Sequence, residues 1–258
     1  MLDGFATAGH DRSRSRASIV SQGCPTDVRA INQGENTMIA RKSAGWLAVC
    51  LCASLAGCAT SRSEIKLQGP VVSPSGTAAA GSARVVVVKS VTDERVFEQA
   101  PSDPSTPSLG FGGSDNATAQ VKSQAIGRKR NGFGKALGDV LLQQGQTVQD
   151  VVRENLVAAL LQSGYRVKSL ADAGTDPVVL DVHIKKFWSW FQPGFWAITL
   201  HSDIATELQV EGGGAPIEIQ VHAEDKRQAA TERAWMEITQ MGLEKFRAEA
   251  ARSVAGKL

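Results

Sequence analysis

The chain has 258 residues, a formal net charge of +2, 42% hydrophobic and 21% charged residues, which is the balance of an ordinary globular domain. A charge this close to zero excludes a surface built to grip a large polyanion such as nucleic acid.

Residues 1–37 are polar, carry Arg12, Arg14 and Arg16, and show no apolar periodicity. They read as a non-native extension ahead of the true start at Met38, or as disorder. Their basic run is too short for a nucleic-acid-binding arm. Residues 38–57 read as a lipoprotein signal peptide. Arg41 and Lys42 form a positive n-region, and Ala44 to Ala56 is apolar and uncharged. About 13 residues cannot cross a hydrocarbon core of ~30 Å but suit a secretory h-region. The run closes on Leu55-Ala56-Gly57-Cys58, the pattern of a bacterial lipobox, so Cys58 is the expected lipidation site and the membrane the expected first partner. Because residue 59 is Ala and not Asp, the sorting rule of enterobacteria points to the outer membrane. Two or three acyl chains on one cysteine suffice for stable anchoring. Cys24, Cys50 and Cys52 all precede Cys58, so the mature chain is expected to hold neither a disulfide nor a thiolate metal site.

Residues 58–82 are rich in Gly, Pro, Ser and Ala and read as the lipidated Cys and a flexible tether. The remaining chain, residues 83–258, is long enough for one domain with its own core. It opens with Arg84-Val85-Val86-Val87-Val88-Lys89, a β-branched run that predicts a strand buried on both faces. Residues 92–146 lose periodicity and read as a long loop, functional or partly disordered. A helix is predicted from Thr147, which with Asp150 makes a capping-box-like pair, to a left-handed stop at Gly164. Tyr165 to Ser169 reads as a short strand.

Three longer strands follow. In 178–191 the even positions Leu180, Val182 and Ile184 are apolar, and in 195–210 so are Trp196, Ile198, Leu200, Ile204, Leu208 and Val210. Even facing even requires an odd loop, which Gln192-Pro193-Gly194 supplies. The last strand, 216–224, turns Ile217, Ile219 and Val221 inward. A final helix from about Thr231 to Arg252 buries Trp235, Ile238, Gly242 and Phe246, with Met241 at the margin. The predicted fold is α+β: a two-layer α/β sandwich with one mixed, mainly antiparallel sheet, order β-α-β-β-β-β-α, and two helices on one face.

The lipobox, the Arg-Val-Val-Val-Val strand, the segment Ile126-Gly127-Arg128-Lys129-Arg130-Asn131-Gly132-Phe133-Gly134, the helix end from Leu156 to Tyr165 and the long hairpin together resemble the YajG family of bacterial lipoproteins. The resemblance runs over roughly residues 55–255, and the Asn-Gly-Phe-Gly loop is its most specific element. It implies an envelope location and a fold, and no activity. The Pro-rich stretch from Pro101 to Pro107 looks longer than the family leads one to expect.

Several constellations could carry chemistry. On the predicted register, His183 faces Asp203 and Asp203 faces Glu224, a row that could ligate zinc, although cross-strand charge pairing on an open sheet is the favoured reading, with no metal site expected. No Gly-x-Ser-x-Gly elbow occurs, the Gly127 to Lys135 segment departs from a phosphate loop, and no paired carboxylates suggest glycoside hydrolysis. Neither catalytic residues nor a cofactor are expected. Arg128, Lys129 and Arg130 beside Phe133 could engage an anionic polymer or lipid head group; the competing reading docks Phe133 back into the domain. In the aromatic hairpin 187–196, the even rule sends Trp188, Trp190 and Trp196 to the core and leaves Phe187, Phe191 and Phe195 projecting, Phe191 opposite Phe195, as a partner-binding tip. The sequence thus suggests a non-enzymatic, outer-membrane-anchored periplasmic lipoprotein that binds an envelope protein or cell-wall component. An accessory subunit of a transport or assembly machine and a cell-wall hydrolase are the rivals.

Overall fold

The computed structural model describes residues 61–71 and 84–258, within a unit that spans Cys50–Leu258. The predicted signal peptide (38–57), Cys58 and residues 1–37 lie outside the described residues. In chain order the elements are β1 (Ser63–Ile65), β2 (Val85–Asp93), α1 (Ala119–Gln124), β3 (Ala125–Arg130), β4 (Ala136–Leu142), α2 (Val148–Gln162), β5 (Arg166–Val167), a 3-10 turn (Leu170–Asp172), β6 (Val178–Pro193), β7 (Ile198–Val210), β8 (Ile217–Arg227) and α3 (Glu232–Val254). The predicted α+β class with a single mixed sheet is observed. Four elements lie where tether or loop was predicted: β1 in the tether, and α1, β3 and β4 inside 92–146.

The sixteen-residue strand β6 organises the sheet. One edge pairs antiparallel with β7 from Leu180 to Pro193. The other edge is shared: β2 runs parallel to its first half, Val178 to Ile184, and β3 runs parallel to its second half, Gly127 opposite Ser189. β4 pairs antiparallel with β3, and β1 pairs parallel with β4. β8 closes the far side against β7.

Both long helices cover one face. Thr147 caps α2 by accepting from the Asp150 N–H at 3.2 Å, and its hydroxyl donates to the Asp150 carboxylate at 2.6 Å. Gly164 ends the helix at φ 86°. The apolar stripe of α2 (Val148, Val151, Val152, Leu156, Ala159, Leu160) and that of α3 (Trp235, Ile238, Leu243, Phe246) bury against Val86, Leu180, Val182, Ile184, Leu200, Ile204 and Ile219. α3 crosses β7 so closely at Gly242 that a Cβ there would lie 2.9 Å from Ser202 Oγ. Burying this many aliphatic side chains, at about 1.5–3 kcal/mol each, is what holds the two layers together.

The opposite face is not uniformly wet. Leu109, Ala125, Leu141 and Trp188 form a second buried cluster, with Phe97, Ala117, Val121 and Trp190 packed around it. Arg95 ties this cover to the sheet. Its guanidinium donates to both carboxylate oxygens of Asp93 at 2.7 Å and to the carbonyls of Lys122, Ala125 and Phe187 at 2.6–3.0 Å. A buried guanidinium needs this many partners to offset its lost hydration.

The even-facing-even register fails in the middle of β6. Pairing runs Ile184 to Thr206 and then Lys186 to Ala205, so Lys185 is a β-bulge. Beyond it the parity inverts: Phe187 pairs with Ile204 and Phe191 with Leu200, and both phenylalanines are core residues. The connecting loop is Gly194 to Ala197, four residues where three were predicted. An even loop and one bulge together restore even-to-even pairing only at the far end, from Leu180 to Ile184.

Candidate functional site

One row of paired residues crosses the sheet: Ser63, Val140, Gly127, Ser189, Ser202 and Ala223. From that row β3 and β6 run parallel to the same end, where each turns into a hairpin. Phe133 lies six residues beyond Gly127, and Phe195 six residues beyond Ser189. Parallel pairing therefore brings the two turns together at one end of the sheet.

The first turn is built by Asn131. Its Oδ1 accepts from the N–H groups of Phe133 at 3.0 Å and Lys135 at 2.9 Å, and its backbone N–H donates to Lys135 O at 2.9 Å. Asn favours such local side-chain-to-backbone bonds, and Gly134 supplies φ 81°. Phe133 is left 99% exposed and does not dock back into the domain. The second turn needs Gly194, where a Cβ would lie 2.4 Å from Ala197 O. It presents Phe195 at 90% and Trp196 at 84% exposure, rings edge to face at 4.8 Å.

Of the three phenylalanines predicted to project from the aromatic hairpin, only Phe195 does, and it is joined in solvent by Phe133, for which docking back into the domain was the favoured expectation. Phe187 and Phe191 do not: the Lys185 bulge turns them inward, to 0% and 6% exposure. Trp196, assigned to the core by the even rule, is the residue that reasoning missed. The three basic residues largely brace the first hairpin. Arg128 reaches Leu137 O and Ser108 Oγ at 3.4 Å, Lys129 reaches Ser61 O at 3.1 Å, and Arg130 reaches Gly134 O at 3.0 Å and Pro101 O at 3.3 Å. Burial holds the guanidinium pKa of Arg128 and Arg130 below the ordinary arginine value, with the neighbouring Arg128 charge adding to the effect on Arg130.

The polar row on the outer face is also rearranged. His183 lies opposite Glu207, and its ring bonds Glu94, which Lys185 also contacts at 2.8 Å. Asp203 faces His222, and His201 faces Glu224 and Trp190. His201 is only 9% exposed, stacked on Trp190 at 5.1 Å and 16°, so the outer face is not wet at this position. Burial, then the nearby His222, lowers its pKa below the ordinary imidazole value.

Neither a family model nor a curated protein matches the chain. Among solved structures, it is similar to a crystal structure of an uncharacterised protein, with 14% identity, a TM-score of 0.39, and 76% of this chain and 98% of that one covered. It is also similar to a minor lipoprotein from Acinetobacter baumannii, with 11% identity, a TM-score of 0.33, and 43% of this chain and 88% of that one covered.

Proposed function

We propose that the protein is an outer-membrane-anchored periplasmic lipoprotein, held through Cys58, that acts by binding and not by catalysis as an accessory component of the envelope, with its aromatic end against the lipid surface. The lipobox and the resemblance to YajG-family lipoproteins support the location. The observation that carries the orientation is the direction of β1. Because β1 is parallel to β4, and β4 begins just after the Phe133 turn, the chain ahead of Ser63 leads back toward the aromatic end. Lys129 holds Ser61 O there. Cys58 precedes Ser63 by five residues, at most about 17 Å of extended chain. A lipid on Cys58 therefore leaves the domain little freedom to stand off from the membrane.

At that end Trp196, whose indole has a polar N–H edge, suits the interfacial zone, and Phe133 and Phe195 add apolar area to bury there. The adjoining basic hairpin suits anionic head groups. Labelled palmitate supplied to cells expressing the protein should enter the wild type and not Cys58→Ala; equal labelling of both would remove the anchor. In unlipidated Cys58→Ala protein, binding to vesicles of phosphatidylethanolamine and phosphatidylglycerol should fall about fivefold or more when Phe195→Ser and Trp196→Ser are added.

A further inference from the structure

Three strands converge on one spot of the outer face. His201 and Asp203 come from β7, His222 and Glu224 from β8, and Trp190 from β6. His201 Nδ1 lies 3.4 Å from His222 Nε2, and Glu224 Oε2 lies 3.9 Å from each of those atoms. A tetrahedral Zn²⁺ with bonds of about 2.0–2.1 Å separates its donor atoms by about 3.4 Å. One edge of the triangle already has that length. The other two close by about 0.5 Å of movement in Glu224, a largely exposed side chain.

The surroundings orient the donors. The Nδ1 of His222 lies 2.6 Å from Asp203 Oδ1. A carboxylate accepts only, so this nitrogen carries the proton and Nε2 presents its lone pair toward His201 and Glu224. This carboxylate–histidine pairing is the arrangement that fixes the tautomer and raises the basicity of a metal-bound imidazole. Asp203 is itself fixed, since its other oxygen binds Lys186 Nζ at 2.7 Å. His201 is held by its stack on Trp190 and needs no rotamer search to bind. Without an ion the two imidazoles share only a long 3.4 Å contact.

We propose that His201, His222 and Glu224 form a binding site for a divalent transition ion of the zinc class, with Asp203 as the positioning residue and the fourth coordination position open to solvent. Two borderline imidazoles beside a single carboxylate suit zinc over calcium or magnesium, which take all-oxygen ligand sets. The site is independent of the lipid anchor and of the aromatic end.

The test is calorimetric titration of ZnCl₂ into the mature protein from residue 58 onward, carrying Cys58→Ala so that no thiolate competes for the metal. One equivalent of zinc should bind. His222→Ala and Glu224→Gln should each weaken binding at least about tenfold, and Asp203→Asn about tenfold through the lost tautomer control. His183→Ala should leave the affinity within about twofold, since that ring is held at Glu94. Far-UV circular dichroism matching the wild type keeps each comparison one of binding. Absence of saturable binding in the wild type, or an unchanged affinity in His222→Ala and Glu224→Gln, overturns the site. Loss in His183→Ala alone does so equally.

Discussion

The two halves of β6 obey opposite rules. From Val178 to Ile184 the even residues enter the core beneath the helices; from Lys186 to Pro193 the odd residues do, and the even tryptophans Trp188 and Trp190 go to the other face. One inserted residue, Lys185, separates the halves. Because the side-chain period of a strand is two, a single bulge moves a whole set of side chains across the sheet. The same bulge lies where β2 leaves the edge of β6 and β3 takes over. It is therefore a place where the sheet changes partners, with Glu94 bonded to His183 and Lys185 on one side and Arg95 bonded to Phe187 O on the other.

The sharpest way to break this comparison is Phe187→Ala. If the second half has inverted parity, the change empties a fully buried site and costs about 3–5 kcal/mol, read as a lowered urea midpoint at unchanged slope. A cost near that of a surface change would restore the even rule. Gly127→Ala tests the parallel contact of β3 with the second half. A Cβ there would lie 2.7 Å from Ser189 O and 3.2 Å from the Trp235 ring, and the forced shift should cost about 1–3 kcal/mol in the same measurement.

Glu94→Gln probes the bulge itself. Hydrogen bonds from Lys185 and then His183 hold the Glu94 carboxyl below its ordinary value of 4.5, so its contribution is fully present above that pH and is lost as the pH falls from there through the lowered folded-state value. Solvent screening limits the effect to about 0.5 kcal/mol. The difference between wild type and variant should therefore be visible at pH 7 and shrink as the pH falls below the ordinary glutamate range. Smallest of all, Phe195→Ser with Trp196→Ser should leave stability within about 0.5 kcal/mol, since both rings stand in solvent. A Tm lowered by many degrees would mean that the turn packs against the domain.

Much of the helical layer was legible because it rests on local chemistry. The Thr147 cap, the Gly164 stop and the Trp235-Ile238-Gly242-Phe246 stripe follow from groups within one or two helical turns of each other. The strands of the meander were legible for the same reason. The inversion left one trace: the apolar interval from Ile184 to Phe187 is three residues where the strand period demands two, with Lys185-Lys186 between. β3 and β4 left almost none. Ala125-Ile126-Gly127-Arg128-Lys129-Arg130 has no alternation because its residues answer to two neighbouring strands and to the bonds of Arg128 and Arg130 with the 101–108 segment.

The sequence by itself determined the helix ends and which residues are apolar enough to be core, since each depends on composition or on neighbours a few positions away. Only the tertiary structure decided which face those residues take beyond Lys185, that β1 joins the sheet and heads for the aromatic end, and that His201, His222 and Glu224 meet. Each of these depends on register between strands distant in sequence, and register is set by a bulge, a loop length and edge sharing acting together.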